Sequence, residues 1–183
     1  MLRVGVQHVF AVIALASTHF SQAQDLGCSS AVSLDGGTIE VEADASGNDT
    51  ENIQCALDAA IDGGYRDVFL TSPDYSIGAI AVTGFIGDLR GRSKANTTVT
   101  IQDSSLSCDE SIGVALEFRV GTASVRNMTL SVDSPCSDGS SASVIAYYSN
   151  PAQCSKRTTF GNVDRVVITG TSTSGLNAVT GVL

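Results

Sequence analysis

Histidine and tryptophan are the residues this chain most lacks. There is no tryptophan, and the only two histidines, His8 and His19, lie in the first 24 residues. That stretch reads as a secretory signal peptide. Arg3 gives a basic start, Val9 to Ala16 an apolar core, and Ser21-Gln22-Ala23 small residues for cleavage. The mature chain, 25–183, then has no histidine. This excludes serine or cysteine hydrolysis with a histidine base, and any histidine metal site. An N-terminal core helix is the alternative for residues 1–24. A lipoprotein signal ending at Cys28 is disfavoured by Asp25, three residues ahead, where an apolar residue is expected.

Other absences narrow the class further. No apolar run approaches the ~20 residues of a membrane span. No basic cluster exists in a chain of formal charge −9, so nucleic acid is not an expected partner. No Cys-X-X-Cys occurs, which removes zinc ribbons and thioredoxin-like redox sites. What remains is an exported domain, extracellular or periplasmic, long enough for one real core.

The five cysteines, Cys28, Cys55, Cys108, Cys136 and Cys154, are therefore read as disulfide candidates. Two bridges and one leftover allow fifteen arrangements, among which sequence does not choose. One hint comes from helix geometry. Ile53, Ala56, Leu57, Ala60 and Ile61 form an apolar stripe in the segment Glu51 to Ile61. Cys55 falls about 200° from Ile53, off that stripe, where it could hold the N-terminal segment through Cys28. Cys136 and Cys154 flank Ser143 to Ser149 and could close that loop, which would leave Cys108 odd.

The helix has marked ends. Asn48 or Asp49 is the expected N-cap, Glu51 favours the positive end of the dipole, and Gly63-Gly64 closes it. Gly37 to Ala43 alternates as a strand before it. After it come short strand-like runs: Val68-Phe69-Leu70, Tyr75-Ser76-Ile77, Ile80-Ala81-Val82, Thr98 to Ile101, Val114 to Val120, Val125 to Val132, a run containing Tyr147 and Tyr148, and Val166-Val167-Ile168. Hairpin dipeptides are scarce: Asp35-Gly36, Asp62-Gly63 and Asp138-Gly139. The phrase Val125 to Leu130 resembles Val163 to Ile168, 38 residues later, which fits two coils of about 19 residues or one long coil. These signs favour a solenoid over a sandwich.

The segment from Asp49 to Ile101, with "NIQCALDAAIDGG", "VFL", "YSIG" and "GDLRGRSKANTTVTI", resembles the opening of right-handed parallel β-helix proteins of the pectate-lyase-like superfamily. "FRVGTASVRNMTL", from Phe118 to Leu130, is similar to a later coil. The resemblance implies an all-β, right-handed parallel β-helix with an N-terminal capping α-helix. That fold serves lyases, hydrolases, epimerases, adhesins and tailspikes, so it carries no function with it.

The phrases that carry chemistry in such proteins are missing. NTD, GHG and RIK are absent, as are WxDH and RxPxxR. No catalytic, cofactor or metal residue is therefore assigned. Fragments remain, each with a plainer reading. Asp109-Glu110 is an acidic pair on a solvated loop, since neighbours on a strand face opposite ways. Asp44, Asp49 and Glu51 suggest calcium less than capping. Arg90, Arg92 and Lys94 form a small basic patch able to meet an acidic polysaccharide, or a solvated turn. Arg119 and Arg126 would share a face near Glu117, or make a surface ion pair. Tyr147-Tyr148 would stack on sugar rings or fill the core. Gly84, Gly87 and Gly91 lack the spacing of a phosphate loop. Asn48, Asn96 and Asn127 head glycosylation sequons, which matter only in a eukaryotic source.

No charged residue follows Arg165, and the chain stops in an apolar phrase at Leu183. The expectation is an uncapped C-terminal edge, continued by more chain or covered by a partner. Two functions follow as expectations. The first is a secreted or surface-exposed β-helix domain with a structural or binding role, without a complete active site. The alternative is the N-terminal part of a polysaccharide-active enzyme, a lyase, hydrolase or epimerase.

Overall fold

A computed structural model describes residues 26–47, 49–102, 113–133, 142–148 and 159–171. The chain is mostly β, with one helix. Strands β1 (Val32–Asp35) and β2 (Thr38–Val41) precede α1 (Asp49–Gly63). Then follow β3 (Asp67–Leu70), β4 (Asp74–Ile77), β5 (Ile80–Thr83), β6 (Ile86–Arg90) and β7 (Thr98–Ile101). The last are β8 (Gly113–Arg119), β9 (Thr122–Asp133), β10 (Ala142–Tyr148) and β11 (Phe160–Thr171).

The one antiparallel pair among the described strands is β1 with β2. Its turn is Gly36-Gly37, both at positive φ, as a tight hairpin with matching twist requires. Every other described pairing is parallel. Strands β2, β3, β6 and the first half of β9 stand side by side, with β11 beyond. Strands β4, β7 and the second half of β9 form a second stretch, and β5, β8 and β10 a separate sheet. Asn127, at φ 57°, bends β9 between its two halves, and Arg165, at φ 52°, does the same in β11. Asparagine tolerates this left-handed conformation better than most residues.

Residues that align across strands share a face. Ile39, Val68, Leu89 and Val125 are register partners, and all are buried. So are Tyr75, Val99 and Leu130, then Ile80, Leu116 and Ile145, then Val82, Phe118 and Tyr147. Phe118 and Tyr147 stack with ring centroids 5.6 Å apart. Alternate residues point outward and are mostly polar. The two phrases that resemble each other in sequence are direct register partners: Val163 pairs with Val125 and Ile168 with Leu130. Their 38-residue spacing is thus a single step.

Helix α1 packs on β2, β3, β4 and β5, at the beginning of these stacks. Ile53, Ala56, Leu57 and Ala60 are buried as the stripe predicts, while Ile61 is half-buried and Asn52 joins the covered face. Cys55 lies off that face and is bonded to Cys28, with Cα atoms 5.8 Å apart. Cys108, Cys136 and Cys154 lie outside the described residues.

The helix also finishes the strand edges beneath it. The Asp49 carboxylate accepts the N–H of Ser76 at 2.8 Å, and Thr50 Oγ1 accepts that of Gly78 at 2.7 Å. The Gln54 amide accepts from Ala81 N and donates to Ala81 O, as a neighbouring strand would. Such edges are otherwise open to foreign strands.

Strand β6 differs from expectation. The stretch around Gly87 and Arg90 reads as a turn in sequence, yet it is a strand. Gly87 is there because a Cβ would come 2.2 Å from the carbonyl oxygen of Arg66, whose peptide bonds Asp88 N.

A candidate binding groove

The outward faces of β4 and β7 form the floor of an open groove, bordered by two loops. The first loop, residues 91–97, joins β6 to β7. Gly91 packs against the Asn127 carbonyl, where a Cβ would meet it at 2.6 Å. Thr97 is buried, and its hydroxyl accepts the N–H of Arg92. Thr129 holds the loop from below by donating to the carbonyl of Lys94 at 2.7 Å. With its backbone fixed this way, the loop holds Arg92, Lys94 and Asn96 exposed. The second loop, residues 43–47, is held by the other oxygen of Asp49, which accepts Asp44 N at 2.7 Å.

The groove consists of two open hollows of about 520 Å³ each that meet at Asp74: Thr71, Pro73, Arg92, Asn96 and Thr98 line one, and Asp44, Asp49, Ser76 and Thr100, with apolar Ala43, Ala45 and Tyr75, line the other. Asp74 belongs to both. Bonds from Ser46 hold the Asp44 carboxyl below its usual range. Asp74 and Arg92 are exposed, and each makes no ion pair among the described residues. Carboxylate, guanidinium, amide and hydroxyl thus stand uncommitted along one wall and floor.

Of the two readings of Arg90, Arg92 and Lys94, the basic patch does not form, and the solvated turn holds for Arg92 and Lys94 but not for Arg90. Arg90 points from β6 onto the neighbouring face of β3. It binds Asp67 through two nitrogens, each at 2.7 Å, and lies 4.0 Å from the centroid of the Phe69 ring. Thr38 also donates to Asp67. Partial burial raises the Asp67 carboxyl, but Arg90, Thr38 and the charge of Arg126 outweigh it and leave the group below its ordinary value. Arg126 pairs with Asp88 on the same face. Asp67 and Asp88 drew no attention in the sequence. Their signal was parity, since each alternates with buried Val68 or Leu89.

Arg119 and Arg126 do not share a face. Arg119 sits on β8 beside Glu117, with which it pairs, while Arg126 is on β9 in the other sheet. Tyr147 is in the core, where burial pushes its hydroxyl up to about 12, and it donates to the carbonyl of Asn162. It offers no platform to a sugar. Tyr148 is half-buried. Asp44 and Asp49 give carboxylate oxygens to main-chain N–H groups, and Glu51 is exposed. Among the described residues no three histidine, cysteine, aspartate or glutamate side chains gather as metal ligands. Asp109-Glu110 and Asn48 lie outside the described residues. No helix there is long and apolar enough to cross a membrane.

Comparison with family models, curated proteins and solved structures finds no match for this chain.

Proposed function

We propose that this chain is a secreted, right-handed parallel β-helix domain that binds glycan through the groove over β4 and β7 and has no chemistry of its own. Three observations support the fold. The strands return in parallel register; β2, β3, β4, β5, β7 and β9 bury every second residue; and α1 lies across β2, β3, β4 and β5. Ordinary parallel sheets are covered on both faces and lack such alternation. The Cys28–Cys55 bond fits an oxidising compartment.

The observation that carries the binding role is the uncommitted set Asp74, Arg92, Asn96 and Thr98 around one open groove. Sugar hydroxyls are recognised by such convergent donors and acceptors. The test is affinity electrophoresis and calorimetry on the folded, oxidised chain. Acidic and neutral soluble glycans are used, with and without calcium, and products are followed by reducing-end assay. At least one glycan should bind, and Arg92→Ala with Asn96→Ala should weaken it. Glycan turnover, or binding indifferent to both substitutions, would refute the proposal.

A further inference from the structure

We infer that the groove selects neutral glycans over polyuronates; this rests on the glycan-binding reading above. Asp44, Asp49 and Asp74 line the floor and one end, whereas Arg92 alone brings a cation to the lining. The chain as a whole is acidic, at −9. A polyuronate carries a carboxylate on every ring, so a bound chain of a few rings would set several carboxylates against these acids. One guanidinium balances one of them. The remainder meet like charge, which solvent screens only in part.

A neutral glycan meets the same residues favourably. Asp74 is the one side chain common to both halves of the groove, and it makes no ion pair among the described residues. An ionised carboxylate accepts two O–H donors, as a pair of adjacent sugar hydroxyls presents them, and such charge-assisted bonds are the strong ones. Arg92 and the Asn96 amide donate to ring and hydroxyl oxygens from the loop, while the Thr98 and Thr100 hydroxyls follow along the floor. Asp44 and Asp49 already accept main-chain N–H groups, so their part is a local negative field, which a neutral chain does not feel.

The roles of Asp74 therefore have opposite sign for the two ligand classes. The experiment titrates wild type and Asp74→Asn with soluble xylan, mixed-linkage glucan and galactomannan, and with polygalacturonate and alginate, at low and at 0.5 M salt. The side chain is exposed, and circular dichroism checks that the variant folds. We expect saturable binding of a neutral glycan, little changed by salt and weakened about tenfold by Asp74→Asn, as loss of a charge-assisted bond implies. Polyuronate binding, weak in the wild type, should strengthen in the variant. Tighter binding of a polyuronate by the wild type, or neutral binding unaffected by Asp74→Asn, overturns the inference and leaves the glycan reading standing. Failure of every glycan to bind overturns both.

Discussion

Removing the Asp49 carboxylate should destabilise the protein far more than loss of a helix cap. In sequence Asn48 or Asp49 is the expected N-cap, and replacing a cap by alanine typically costs about 1 kcal/mol. In the structure Asp49 is only 4 % exposed. Its two oxygens accept from Asp44 N at 2.7 Å and from Ser76 N at 2.8 Å. Hydrogen bonds to a charged group contribute roughly 1.5–3 kcal/mol each, and a buried donor left unpaired costs a similar amount. The Ser76 donor lies on β4 under the helix and is shielded. The Asp44 donor lies at the loop and regains water. Asp49→Ala should therefore cost about 3–4 kcal/mol. Asp49→Asn, which keeps one acceptor oxygen, should cost about half of that.

The assay is equilibrium urea unfolding of the oxidised chain, followed by circular dichroism. With a slope of about 2 kcal/mol/M, the alanine variant should lose roughly 1.5–2 M in midpoint, out of a stability that for most domains is about 5–15 kcal/mol. An alanine variant within 1 kcal/mol of wild type would show that Asp49 is a simple cap. An asparagine variant as unstable as alanine would show that the charge, not the pair of acceptor positions, is what the site needs.

Two further outcomes follow from the structure. Cys28 and Cys55 are 27 residues apart, and closing a loop of that size in the unfolded chain amounts to about 3.5 kcal/mol; the Cys28→Ala/Cys55→Ala variant should lose roughly 2–4 kcal/mol in the same assay, and peptide mapping of the unreduced wild type that paired Cys28 elsewhere would refute the assignment. Asp67 has a folded carboxyl below its ordinary 3.8, so its contribution is present above that pH and disappears as pH falls through the lower folded value. The midpoint gap between wild type and Asp67→Asn should be constant near neutrality and shrink below about pH 4, and a gap that stays level to pH 2 would exclude the Asp67–Arg90 pair as its source.

Much of the fold was legible before the structure. The helix, its buried face, its glycine stop and the off-stripe Cys55 all depend on residues within two turns of one another. The strand-like runs named in the sequence that fall among the described residues are strands. Strand β6 was missed because Gly87 and two charged residues look like a turn. Its glycine answers a contact with Arg66 made only after the chain has returned. The Asp49 role was not visible, since its partners, the N–H groups of Asp44 and Ser76, both lie outside the helix and the second is 27 residues ahead.

The site was far less legible, and the reason is physical. Along the inward face one apolar residue can replace another, so a register misjudged by two residues still yields a core, and the alternation alone identifies it. On the outward face, function depends on which named side chain stands beside which. That is fixed by the length of each return, and the returns differ: Leu89 aligns with Val68 21 residues back, and Val163 with Val125 38 back. The same variation that lets loop 91–97 rise beside the groove removes any constant period from which its neighbours might be computed. Arg90 illustrates the result. Grouped by sequence with Arg92 and Lys94, it looks like part of a ligand-binding patch. Placed by register next to Asp67 and Phe69, it is neutralised, and only Arg92 is left to face the groove.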